Sequence, residues 1–89
     1  MVAFDNNGQG YFTFEDVQNH KCLKRLDENL QRLFFNTYKK HMATFWQGTR
    51  HLYALDQLKK VTWHDDEKCL HVYFKNGDWW HYNVLGEWF

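Results

Sequence analysis

Six histidines and two cysteines carry most of the reactive chemistry in this 89-residue chain. His64, Cys69 and His71 stand closest together. If Asp65-Asp66-Glu67-Lys68 joins two strands, His64 and Cys69 become cross-strand neighbours, and His71 lies two residues further along the same face. Neutral imidazole and thiolate are zinc and copper ligands, and cross-strand pairs lie within chelating reach. A fourth ligand would come from His51 or from an acid of the 65–67 loop. The chain has no CxxC pair, no HExxH and no repeated His-x-Cys signature. For catalysis, His20, His41, His51, His64, His71 and His81 offer bases, and Cys22 and Cys69 offer nucleophiles. No Ser or Cys stands in a nucleophile elbow, no glycine-rich loop precedes a helix in the P-loop or dinucleotide pattern, and the acids sit in loops rather than facing one another across a cleft. The chain reads as a binding protein without a cofactor rather than an enzyme.

A second set of oxygen-bearing residues lies at the start of the chain, Asp5-Asn-Asn-Gly-Gln-Gly-Tyr-Phe-Thr-Phe-Glu-Asp16. This stretch resembles the twelve-residue calcium loop of EF-hand and dockerin-type proteins. Asp5 takes the first ligand position, Asn7 the third, Gly10 the sharp turn and Phe12 the apolar eighth position. The resemblance implies a carbonyl ligand from Tyr11, a contact from Thr13 and a closing carboxylate from Asp16. Gln9 replaces the usual short oxygen ligand, and Asp16 stands where a glutamate is usual. The same residues also spell a helix start. Thr13 is a good N-cap, Asp16 at N3 completes a capping box, and Phe12 with Val17 forms a hydrophobic staple.

The element that must position the His/Cys set is a hairpin. Cys69-Leu-His-Val-Tyr-Phe-Lys75 and Asp78-Trp-Trp-His-Tyr-Asn-Val84 flank Asn76-Gly77, a strong signal for a two-residue type I′ turn. That turn pairs Phe74 with Trp79, Tyr73 with Trp80, Val72 with His81 and His71 with Tyr82. One face then carries Leu70, Val72, Phe74, Trp79 and His81, with His81 a buried core histidine. The other face carries Cys69, His71, Tyr73, Trp80 and Tyr82. Upstream, the 65–68 loop pairs His64 with Cys69, Trp63 with Leu70 and Val61 with Val72. Strands are expected near 50–55, 58–64, 69–75 and 78–84, with the tail after Gly86 extending the last one.

Before the sheet, Leu23, Leu26, Leu30, Leu33, Phe34 and Tyr38 recur at spacings of three and four and predict a helix over 14–42. Val17 falls off this stripe, so a break or bend is expected near Asn19-His20. The opposite face carries Lys21, Arg25, Arg32 and Lys39, with Phe35 among them. An aromatic in a basic stripe suits a nucleic acid or an acidic partner, or a residue covered by the N-terminal segment.

The fold class that follows is α+β: one long, bent N-terminal helix packed on a four-stranded antiparallel meander. Residues 1–89 make a single domain, with 1–13 an approach loop, 14–42 helical and 44–89 sheet. Aromatics form 20% of the chain, enough buriable area for a small core without staples. Two cysteines are too few for a disulfide framework, which points to free thiols in a cytoplasmic protein. No apolar run approaches a membrane span. Net charge is zero, yet residues 17–60 hold nine Lys/Arg against three acids. A single helical layer covers only one sheet face. The expected function is therefore protein interaction, with self-association as a homodimer, through Tyr73, Trp80, Tyr82 and His71. Nucleic-acid binding by the basic stripe and metal binding by either ligand set are the alternatives.

Overall fold

The computed structural model describes residues 13–45 and 47–89. Helix α1 (Phe14–Asn19) begins with the capping box read from the sequence: the Asp16 N–H donates to Thr13 Oγ1, and the Thr13 N–H donates to Asp16 Oδ2. The helix stops at His20, whose backbone is extended. The His20 ring fixes this break. Its Nδ1 accepts from the Cys22 N–H at 3.0 Å, which leaves Nε2–H to donate to the Leu55 carbonyl at 2.7 Å. Turns follow through Leu26. Helix α2 (Glu28–Met42) then starts on Asp27, whose carboxylate accepts from the Leu30 N–H. The helical region is thus two helices joined by turns rather than one long rod. Glu28 in the first turn and Lys39 and Lys40 in the last complement the α2 dipole.

The strand expected at 50–55 is absent. Residues Gln47–Arg50 form a short helix, α3, and His51–Tyr53 and Leu55–Gln57 form 3₁₀ turns. Arg50, Tyr53, Ala54 and Leu55 are all buried, a spacing that suits a helical turn and breaks the alternation a strand requires. The sheet therefore has three named strands, β1 (Leu58–His64), β2 (Cys69–Phe74) and β3 (Trp79–Asn83), in the order β1-β2-β3. Their positions and the antiparallel meander follow the sequence reading. So does the β1–β2 register, with Val61 opposite Val72, Trp63 opposite Leu70 and His64 opposite Cys69.

The β2–β3 register differs by one residue. Tyr73 faces Trp79, Val72 faces Trp80, His71 faces His81 and Leu70 faces Tyr82. The turn explains the offset. The Gly77 N–H donates to the Phe74 carbonyl at 3.0 Å, and the Phe74 N–H donates to the Asp78 carbonyl at 2.9 Å. Gly77 itself has φ +98°. This is a type I turn closed by a left-handed glycine bulge, the common three-residue hairpin loop, rather than the two-residue loop expected. Since side chains alternate along a strand, one residue of slip moves every β3 side chain to the other face. Of Trp80 and Tyr82, expected at a partner surface, Tyr82 lies in the core and half-buried Trp80 packs against it on the inner face. Trp79 and His81, expected in the core, lie on the open face.

The tail does not extend β3. It reverses at Gly86 (φ +80°) and pairs back on it, with a bridge from Tyr82 to Trp88 and two hydrogen bonds between His81 and Phe89. The core sits between α2 and the inner sheet face. Leu70, Val72, Phe74 and Tyr82 meet Phe34, Tyr38 and Met42, with Leu23, Tyr53 and Leu55 closing the sides. At its centre His41 is 1% exposed and is ringed by Phe45, Trp80, Tyr82 and Trp88, with centroids 4.5–5.5 Å away. Its Nδ1 shares a 2.7 Å hydrogen bond with the Tyr82 hydroxyl, and its Nε2 has no partner among the described residues. Among the described residues no helix is long and apolar enough to cross a membrane.

Two expectations follow. Trp80→Ala should cost about 3–5 kcal/mol in denaturant unfolding, as removal of a large core aromatic does, and Trp79→Ala under about 1 kcal/mol. A two-residue turn would reverse that order. Burial also pushes the His41 imidazole down to about 4. The unfolded chain binds this proton near its ordinary value of about 6.5. The stability contributed by neutral His41 is therefore complete above that value and is lost as pH falls towards 4. The slope should reach at most about 1.4 kcal/mol per pH unit. Unfolding midpoints from pH 7 to 4, compared with those of His41→Gln, read this loss directly; equal slopes would contradict it.

Candidate functional site: the open sheet face

The open face is built from three rows across the strands. The registers place Lys60, Tyr73 and Trp79 in one row, and Thr62, His71 and His81 in the next. Phe89 of the returning tail joins the second row. His64, Cys69 and Asn83 form the third. Aromatic contacts run along these rows. Tyr73 stacks on Trp79 at 5.3 Å, Trp79 meets His81 at 4.8 Å, and His81 stacks on Phe89 at 4.6 Å. His64 stacks on His71 at 3.6 Å.

The Asp65–Lys68 turn delivers the acid. Lys68 has φ +54°, and its ammonium pairs with Asp65 at 3.0 Å, which closes the turn tightly. Glu67 is thereby held over the start of β2. Its Oε1 lies 3.0 Å from His71 Nε2, 3.6 Å from His81 Nε2 and 3.6 Å from Cys69 Sγ. The four ligand atoms of Glu67, Cys69, His71 and His81 all fall within 4.8 Å of one another. Cys69 and His71 are buried and His81 is half-buried. The hydrogen bond from His71 holds the Glu67 carboxyl below its usual range. Burial, then the charge of Glu67, pushes the Cys69 thiol up. A thiol in that position ionises when a cation arrives, because a bound metal inverts the local balance of charge.

His81 is also oriented from behind. Its Nδ1 lies 3.2 Å from the Phe89 carbonyl, an acceptor only, so Nδ1 carries the proton and Nε2 presents its lone pair to the cluster. Metal-binding histidines are commonly held in this way by a carbonyl on the far nitrogen.

Of the residues expected as metal ligands, Cys69 and His71 come together, and the acid of the 65–67 loop is Glu67. His64 stacks on His71 and forms a second, more exposed group with Asp66 and Glu67, their ligand atoms within 4.8 Å of one another, while its Nε2 bonds to Thr62 Oγ1 at 3.0 Å. His51 is exposed in a 3₁₀ turn and belongs to no ligand cluster among the described residues. His81 lies on the open face rather than in the core because the hairpin loop holds three residues instead of two. The equal apolar character of both β3 faces gives no signal against the shorter loop. In the calcium-like stretch, Asp5, Asn7 and Tyr11 lie outside the described residues. The side chains of Thr13 and Asp16 are engaged with each other's backbone.

Of the expected partner surface, Tyr73 and His71 stay on the open face, and Trp80 and Tyr82 do not. The basic stripe is divided. Lys21 and Arg25 sit in the turns before α2, because no helix runs through 20–27. Arg32 pairs with Glu28 at 3.1 Å, and Lys39 lies 5.0 Å over the Phe35 ring. Phe35 is half-buried beneath Phe14, whose ring meets it edge-on at 5.6 Å. Cover from the N-terminal side is thus supplied by α1. Searches against protein-family models, curated proteins and solved structures give no match to this chain.

Proposed function

We propose that this protein is a binding module for a zinc-like divalent transition metal, held by Glu67, Cys69, His71 and His81. The observation that carries the reading is the convergence of one carboxylate, one sulfur and two imidazole nitrogens within 4.8 Å. That donor set suits tetrahedral zinc, with Zn–S near 2.3 Å and Zn–N near 2.0–2.1 Å. Drawing the four atoms onto one ion requires Glu67 to give up its hydrogen bonds to Cys69 and His71. Its exposed side chain allows this movement. All four positions are filled by protein, which is the arrangement of a structural or storage site. A catalytic zinc keeps one position for water. Binding rather than catalysis is therefore the proposed role.

Cobalt(II) in place of zinc makes the reading testable. Titration should give saturable, tetrahedral ligand-field absorption together with thiolate-to-metal charge transfer, and zinc should displace both signals. Cys69→Ser should abolish the charge-transfer band. His81→Ala should weaken uptake by tenfold or more, and zinc should raise the melting temperature of the wild type in proportion to its excess over Kd. Absence of saturable uptake, or uptake untouched by both substitutions, would overturn the assignment.

A second reading, self-association through the same face, rests on its exposed rings. Trp79 is 44% exposed and Phe89 64%, and both pack against His81. A contiguous apolar row of this kind is a common feature of interfaces. A second copy is the proposed partner, since two-fold homodimers are the commonest oligomers. Sedimentation should show a concentration-dependent dimer that Trp79→Ser disperses. A wild type that stays monomeric throughout the range would end this reading.

A further inference from the structure

A different surface carries a separate inference. Between the turns at 21–26 and the start of β1 lies an open hollow of about 510 Å³. Lys21, Lys24, Arg25, Lys59 and Lys60 line it, and no carboxylate among the described residues does. Ion pairs elsewhere join Arg32 to Glu28 and Lys68 to Asp65, and Glu67 lies against His71 and His81. None of the five cations lining the hollow has an acidic partner among the described residues. In a chain with no net charge, five unneutralised cations around one hollow repel one another, and an anion relieves that repulsion.

A β-bulge creates this concentration. Leu58 faces Phe74 and Lys60 faces Tyr73, so Lys59 is an extra residue with no partner opposite. In a regular strand, Lys59 and Lys60 would point to opposite faces. The bulge instead leaves both exposed between buried Leu58 and Val61. The other wall is fixed to this one. The Cys22 thiol reaches the Lys59 carbonyl at 3.4 Å, which ties the turn bearing Lys21, Lys24 and Arg25 to the bulge.

The hollow also has a direction. A second one of about 320 Å³ shares Lys59 and Lys60 and ends against Tyr73 and Gly77. There Lys60 Nζ lies 5.8 Å over the Tyr73 ring, and Tyr73 stacks on exposed Trp79. A run of cations that leads to stacked aromatic rings matches what an unpaired strand presents, phosphates on one side and splayed bases on the other. An acidic peptide would use the cations and leave the rings idle. A duplex keeps its bases stacked internally, away from Tyr73.

We propose that this hollow binds the sugar–phosphate backbone of a single-stranded nucleic acid, with Tyr73 receiving a base at its far end. On binding, Lys60 leaves the Tyr73 ring for a phosphate, and the base takes its place. The test uses the full chain with labelled oligothymidylate and oligouridylate of ~12 nucleotides, read by fluorescence anisotropy. Affinity should fall with salt along a log–log slope of about −3.5 if all five cations contact phosphates, at about −0.7 each. Lys24→Gln with Lys59→Gln should flatten the slope by about 1.4. Tyr73→Ala should weaken binding by about tenfold and leave the slope unchanged, and Tyr73→Phe should restore it.

Several outcomes would overturn the proposal. One is no binding at low salt, as expected if the lysines serve only to keep the β1 edge from pairing. Another is displacement by thymidine monophosphate as readily as by oligomer, which would make the hollow a mononucleotide pocket. A third is equal binding of polyglutamate with no effect of Tyr73→Ala, which would mark an acidic-protein surface. Equal affinity for duplex and single strand would also exclude the role assigned to Tyr73.

Discussion

The position of Gly77 in its turn decides the composition of both sheet faces. Glycine alone adopts φ +98° without strain, so the left-handed position of the loop falls there and the loop closes around three residues. From that point the alternation of β3 is set. Trp80 and Tyr82 turn inward to meet His41 and Phe34, and Trp79 and His81 turn outward to meet Tyr73, His71 and Phe89. A loop one residue shorter would place two imidazoles on opposite sides of the sheet. The ligand set around Glu67 thus depends on a backbone angle several residues away.

The inner face shows the complementary effect. His41 is a polar ring in an aromatic enclosure, with one nitrogen bonded to the Tyr82 hydroxyl and the other unpartnered among the described residues. Burial holds it neutral, and the neutral ring packs edge-on against Trp80 and flat against Trp88. Tyr38 makes a similar compromise, burying its ring against Phe34 while its hydroxyl donates to the Tyr53 carbonyl. That bond anchors α2 to the 3₁₀ segment, and Tyr53 in turn reaches Asp78 beside the hairpin turn. Two tyrosine hydroxyls, that of Tyr38 buried and that of Tyr53 part-buried, therefore connect the helical layer to the loop that sets the register.

Much of this was legible in the sequence where a local signal had one meaning. The break at Asn19-His20, the extent of β1 and the register across Asp65–Lys68 all had such signals, and the structure follows them; Thr13 and Asp16 had two readings, and they form the helix cap. Illegible features arose where two local structures share one motif. Asn-Gly serves a two-residue and a three-residue loop alike, and the glycine differs only in its place within the loop. Strand β3 carries aromatic residues on both faces, so hydrophobicity did not choose between the registers. Arg50 to Leu55 alternates well enough to suggest a strand, yet it forms turns that bury Tyr53 against Phe45 and Phe74. The paired lysines at 59 and 60 read as ordinary surface until a bulge turns them to one side.

The meander also has a kinetic meaning. Each sheet element pairs with its neighbour in sequence: β1 with β2, β2 with β3, and β3 with the tail from Glu87 to Phe89. Closing such short loops costs little entropy, and hairpins form in roughly 1–10 μs. The contact between Phe34 and Tyr82 closes a far longer stretch of chain and comes later. Loop-closure entropy alone therefore favours a sheet that samples its register before the helical layer locks it. Until the helix arrives, the exchange of Trp79 for Trp80 is still open, and the register becomes permanent only when one of them is covered.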